Sequence, residues 1–168
     1  MKVIRILLTL CLIPLLTLFG ACDREKDLFA PFRGAYRADI AGEMNGVPFG
    51  AVLEADALNG DGVRTLTLTF YAPASLSGTV VTQSPAGELS LSVGDLSVAG
   101  ISAEGFLPLL HFLPVGGEVT EVSLDEAGHS VVTGEGFTLT LQEDGTPIAA
   151  ANATVSATIV LFEVLETP

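Results

Sequence analysis

The stretch Arg64-Thr-Leu-Thr-Leu-Thr-Phe-Tyr-Ala-Pro73 decides the fold. Leu66, Leu68 and Phe70 stand at every second position, with Thr65, Thr67 and Thr69 around them. Side chains of a strand alternate between two faces, so this segment has one apolar face and one hydroxyl-bearing face. The same period continues outward. Upstream, Tyr36, Ala38 and Ile40 alternate with Arg37, Asp39 and Ala41, and after Asn45-Gly46 the set Val47, Phe49, Ala51, Leu53 and Ala55 alternates again. Asn and Gly tolerate the positive φ angles of a tight turn, so these two segments form a hairpin. A Gly-rich turn from Leu58 to Gly62 leads on to the central stretch.

Downstream, strands are expected at Thr79 to Gln83, Glu88 to Val93, Leu96 to Val98, Glu118 to Leu124, Ser130 to Thr133, Phe137 to Gln142 and Thr154 to Leu165. Turn residues divide them, among them Pro85-Ala-Gly87, Gly94-Asp95, Gly134-Glu-Gly136 and Glu143 to Pro147. One piece has helical spacing, Ala103 to Leu113, with Phe106, Leu109, Leu110 and Leu113 on one side. The expected class is therefore mainly β: one antiparallel curved sheet with one short mid-chain helix, or alternatively a closed β-sandwich.

The 168 residues carry 7 Lys+Arg against 20 Asp+Glu, a formal net charge of −13, while 49% of them are apolar. A nucleic-acid binder needs cations for phosphates, which excludes that class, and the apolar content argues against a disordered acidic tail. The length suits a single domain. From Thr65 to Pro168 there is no Lys or Arg at all, which makes adsorption on anionic lipid through this part of the chain unfavourable.

The first residues differ from the rest. Lys2 and Arg5 precede an apolar run from Ile6 to Phe19, and Gly20-Ala21 precede Cys22. This pattern reads as a secretory signal peptide over 1–21, its apolar run shorter than the about 20 residues of a membrane span. Leu18-Phe19-Gly20-Ala21-Cys22 resembles the lipobox of bacterial lipoproteins, although Phe19 stands where that family usually has Leu, Val or Ile. The resemblance implies a lipidated Cys22. Its thiolate would take the diacylglyceryl group, and acyl chains such as palmitate would hold the protein on the extracytoplasmic face of the cell membrane. A lipidated tether over 22–33 then leads to a β domain over 34–168. Cys11 and Cys22 are the two cysteines, so the mature domain is expected to contain neither a disulfide nor a free thiol.

No catalytic constellation emerges. Gly100-Ile-Ser102-Ala-Glu-Gly105 has one residue too many for a nucleophile elbow, and Gly128-His-Ser-Val-Val132 lacks the closing glycine. His129 and Ser130, being adjacent, point to opposite faces of a strand. His111 and His129 have no partner at metal-ligand spacing, and Asn59, Asp61 and Gly62 lack the frame of a calcium loop. The expectation is a non-enzymatic protein without metal or cofactor.

The element order, with Leu66 to Pro73 (LTLTFYAP) and Leu141 to Pro147 (LQEDGTP), resembles the LolA/LolB-type lipoprotein-carrier superfamily over about Ala35 to Leu165. The resemblance implies a half-barrel whose concave face holds acyl chains under a helical lid. In this chain Leu66, Leu68, Phe70, Leu89, Leu91, Leu139 and Leu141 would line that face, with Phe106 and Leu110 on the lid. The chain departs from the carriers in its shortness, in lacking a long amphipathic N-terminal helix and in having no Arg expected near the lid. The implied partners are the membrane, reached through the Cys22 lipid, a lipid ligand and an envelope protein, with no nucleic acid. The same alternation also builds an ordinary filled core, which would make the protein a structural or interaction lipoprotein.

Overall fold

The structure, a computed structural model, describes residues 27–100 and 104–165. The expected signal peptide, Cys22 and Ser102 lie outside the described residues. A one-turn helix α1 (Ala30–Arg33) precedes β1 (Ala35–Met44), and β2 (Val47–Ala55) closes the Asn45-Gly46 hairpin with φ of 51° and 77° at the two turn residues. The meander continues through β3 (Leu66–Ala72), β4 (Thr79–Gln83), β5 (Leu89–Val93) and β6 (Leu96–Ala99). A 3-10 turn (Glu104–Phe106) and one turn of helix, α2 (Leu107–Leu110), lead to a second meander. Its strands are β7 (Val119–Leu124), β8 (Ser130–Gly134), β9 (Phe137–Leu141), β10 (Pro147–Asn152) and β11 (Val155–Leu165).

β11 pairs antiparallel with β1, which joins the two meanders into one eleven-stranded sheet in the order β6-β5-β4-β3-β2-β1-β11-β10-β9-β8-β7. The expected class holds: mainly β, antiparallel and not closed. The alternative of a closed sandwich does not, because a sandwich needs two packed sheets and β6 and β7 here end a single one. A flat sheet of eleven strands would be about 48 Å wide at the usual spacing. Instead it curls, and Leu89 on β5, Val132 on β8 and the short lid segment after residue 104 join one core.

Two features of the central pair permit the curl. A bulge in the β1–β11 register leaves Ile40 opposite Ile159 but Asp39 opposite Leu161, which bends the longer strand and resets which side chains face inward. Near the other end Gly42 lies opposite Ala157 and Phe49. A Cβ there would run into the Ser156 carbonyl oxygen and Ala157, so the backbones approach closely only because residue 42 has none.

The fold departs from the sequence reading at two elements. The helix expected over 103–113 is a 3-10 turn and four helical residues, because Pro108 suits only a helix start and the chain leaves helical geometry at His111, shortly before Pro114. β10 was not expected: Pro-Ile-Ala-Ala-Ala-Asn shows no apolar alternation and alanine is a poor strand former. Phe29 and Phe32, ahead of β1, are both buried in the core.

Gly42→Ala is expected to lower the unfolding free energy by about 1–3 kcal/mol, as overpacking does. Gly34→Ala, at φ −75° with open space around its Cβ, is expected to stay within about 0.5 kcal/mol. Chemical denaturation of the two variants checks the difference.

Candidate functional site

Inward-facing positions recur at every second residue, so the sheet brings the sequence-derived candidates together. Leu66, Leu68 and Phe70 on β3, Leu89 on β5, Leu139 and Leu141 on β9 and Leu110 on the lid are buried, while Leu91 and Phe106 are half-buried against the same core. Phe70 and Phe106 meet with ring centroids 5.7 Å apart. The lid covers this face through Leu109, Leu110, Phe112 and Leu113, none more than 2% exposed. The interior is therefore packed, and lid side chains occupy the space over the sheet.

Polar ties hold the lid and α1 down. The Asn152 Nδ2 donates to the Pro108 carbonyl at 2.9 Å. Arg33 donates from Nε to the Val115 carbonyl at 3.2 Å and from Nη1 to Asp27 Oδ2 at 2.6 Å. Arg64 donates from Nη1 to the Phe32 carbonyl at 2.6 Å and from Nη2 to the Tyr36 hydroxyl at 3.3 Å, with its guanidinium carbon 5.0 Å from the Tyr36 ring centroid. The expectation of no Arg near the lid is thus overturned. Arg64 lies two residues before Leu66 on the inward-facing row, which carries it to the end of the sheet where α1 and the lid converge.

At that end lies a pocket of about 310 Å³, lined by Arg64, Leu66, Gln83, His111 and Val115 together with residues of the β2–β3 and β4–β5 loops. Gln83 is an inward-facing residue, paired with Leu66 on one side and Leu89 on the other. Its Oε1 is buried and accepts no hydrogen bond, an arrangement that usually costs about 1–3 kcal/mol. Burial pushes the Tyr36 hydroxyl pKa up, against the opposing pull of the Arg64 charge. Partial desolvation, and then Arg64, hold the His111 imidazole below its usual pKa although the residue is largely solvent-exposed.

The inner face outruns its lid. Val93, Leu96 and Val98 near the β6 edge, and Val122 and Leu124 on the β7 edge, pair into the inward-facing rows yet are between 47% and 77% exposed. The outer face carries a shallow depression of about 350 Å³ floored by alanine, serine and threonine of β1, β9, β10 and β11, with no cluster of reactive groups. His129 Nδ1 lies 3.0 Å from Asp125 Oδ2 in a surface turn, and Asn59 Oδ1 accepts from the amides of Asp61 and Val63. Among the described residues no three His, Cys, Asp or Glu side chains are grouped to hold a metal ion.

No protein-family model and no curated protein matches the chain. Among solved structures, an uncharacterised conserved protein from Thermus thermophilus is similar at a TM-score of 0.51 with 13% identity, over 84% of this chain and 85% of that one. A LolA-superfamily protein from Nitrosomonas europaea is similar at a TM-score of 0.42 and 10% identity, over 81% and 88%. The MucA/MucB complex of Pseudomonas aeruginosa gives 0.45 and 16%, over 84% of this chain but 56% of that one. At these identities the likeness concerns the fold alone.

The His111 environment makes a pH prediction. Its folded pKa lies below the 6.5 of a free imidazole, so the unfolded chain binds this proton more readily than the folded one. Stability is then expected to fall as pH drops from about 6.5 through the folded value. His111→Gln should remove that part of the acid sensitivity, read as a flatter dependence of Tm on pH between about 7 and 5.

Proposed function

We propose that the protein is a non-enzymatic binding module of the cell envelope, held on the extracytoplasmic face of the membrane by lipid on Cys22. In this reading the lidded half-barrel takes an apolar ligand of the acyl-chain class by exchanging lid side chains for it. The observation that supports this most is the continuation of the apolar inner face beyond the lid to both open edges, where a sealed core would leave polar side chains. Exposed apolar surface of this kind marks binding sites more often than it occurs by chance. The lid suits displacement, because it is short and a single side-chain hydrogen bond, from Asn152 to the Pro108 carbonyl, reaches its helical turn among the described residues. Acyl chains would replace contacts of the same kind that Leu109, Leu110 and Phe112 make.

The complete burial of Leu68, Phe70 and Leu139 favours a second reading. In it the core stays filled, and the module acts as a structural or interaction lipoprotein that docks an envelope protein along its free edges. The overall acidity supports extracytoplasmic solubility in both readings.

Two measurements test the proposal. Feeding cells an alkyne analogue of palmitate is expected to label the full chain and leave the Cys22→Ser variant unlabelled; label on the variant would remove the anchor from the account. Native mass spectrometry of the domain from Asp23 onward, before and after solvent extraction, is expected to show a co-purifying lipid at about one per chain. An unliganded mass that also stays unchanged on adding a dispersed phospholipid would move the reading to the filled-core alternative.

A further inference from the structure

Three arginines fall among the described residues, and two of them face carboxylates: Arg33 with Asp27 at 2.6 Å and Arg37 with Glu54 at 3.4 Å. Among the described residues Arg64 faces none. It is also the most enclosed of the three, half-buried where the other two are exposed. An enclosed cation is ordinarily matched by an anion, because the cost of desolvating it needs an offset. Arg64 instead leans on a carbonyl, a hydroxyl and a ring. A guanidinium has five N–H donors, and the Phe32 carbonyl and Tyr36 hydroxyl take two of them, which leaves three.

Arg64 lines a pocket of about 310 Å³, a volume at the lower end of small-ligand sites. Leu58, Val63, Leu66 and Val115 supply apolar wall, and Ser84, Gln83 and His111 are its other polar residues. A cation without a carboxylate on a pocket with so much apolar wall defines a ligand by complement: an anionic head and a short apolar body.

We infer that this rim pocket binds a carboxylate amphiphile, its carboxylate on Arg64, with the medium-chain fatty acids as the class that fits. The carboxylate would meet the guanidinium in the planar, charge-assisted geometry that arginine favours. This site shares Leu66 and Gln83 with the inner face but is open with the lid in place, so the inference does not rest on lid exchange.

The described elements form one sheet around one core, so the domain from Asp23 onward serves for the test. Calorimetric titration compares octanoate with methyl octanoate, and methyl-group NMR locates each. The ester is expected to bind at least tenfold more weakly than octanoate, with shifts centred on Val63, Leu66 and Val115. Arg64→Gln should abolish the preference for acid over ester. Should Arg64→Gln fail to fold, Arg64→Lys, which keeps the cation, should keep that preference. Equal binding of acid and ester, no binding by either probe, or loss of the preference in Arg64→Lys would overturn the inference. Shifts confined to Leu109, Leu110 and Leu139 would overturn it too, while favouring lid exchange.

Discussion

The antiparallel pairing of β1 with β11 is the contact on which the rest of the structure depends. Without it the chain would be two separate meanders, β1–β6 and β7–β11, each with one apolar face and nothing to cover it. With it, eleven strands present one continuous inner face, and the chain between β6 and β7 must cross that face. The pairing is long, running from Ala35–Leu165 to Met44–Val155, and a register shift bends it. The bulge at Asp39 and Ile40 and the missing side chain at Gly42 both serve that bend. Curvature then decides what the inner face can be: flat, it would need a second layer; curled, it encloses its own core beneath a short lid.

The lid closes the core with small means. One helical turn and the residues after it supply Leu109, Leu110, Phe112 and Leu113, while Asn152, Arg33 and Arg64 fasten its surroundings through carbonyl groups. Apolar burial gives the lid its stability, and the polar ties give it position. Since burial is non-directional, another apolar body could substitute for these side chains, whereas the ties could reform in one place only. The same economy leaves apolar rows bare at both edges and leaves Arg64 and Gln83 without full partners at the open end.

Much of the fold was legible in the sequence because period-two patterning is local. Leu66, Leu68 and Phe70 announce a strand without reference to anything else, and Asn45-Gly46 announces its hairpin. The nine candidate inward residues are legible for the same reason, although alternation does not distinguish a groove from a filled core. β10 is hidden because Ile148-Ala-Ala-Ala151 has almost no hydrophobic contrast; its signals are the Gly145 turn before it and Asn152, whose Oδ1 caps the next turn by accepting from the Thr154 and Val155 amides. Apolar spacing over 103–113 overextends the lid helix, since Pro108 and Pro114 limit it more than that spacing supports it. Arg64 and Gln83 are not legible as a pair at all. Their meeting depends on the β3–β4 register and on the lid's path, which only the folded chain sets.

The central claim is that the lid is a separately opening unit over a sheet held by β1 and β11. Amide hydrogen exchange tests it directly. The His111 and Phe112 amides, bonded to the Leu107 and Leu109 carbonyls, are expected to exchange through local opening on the order of a hundredfold faster than the core amides of β1 and β11. Lid amides that exchange only at the slow rate of the central strands would contradict the account, because the lid would then open only when the whole domain unfolds.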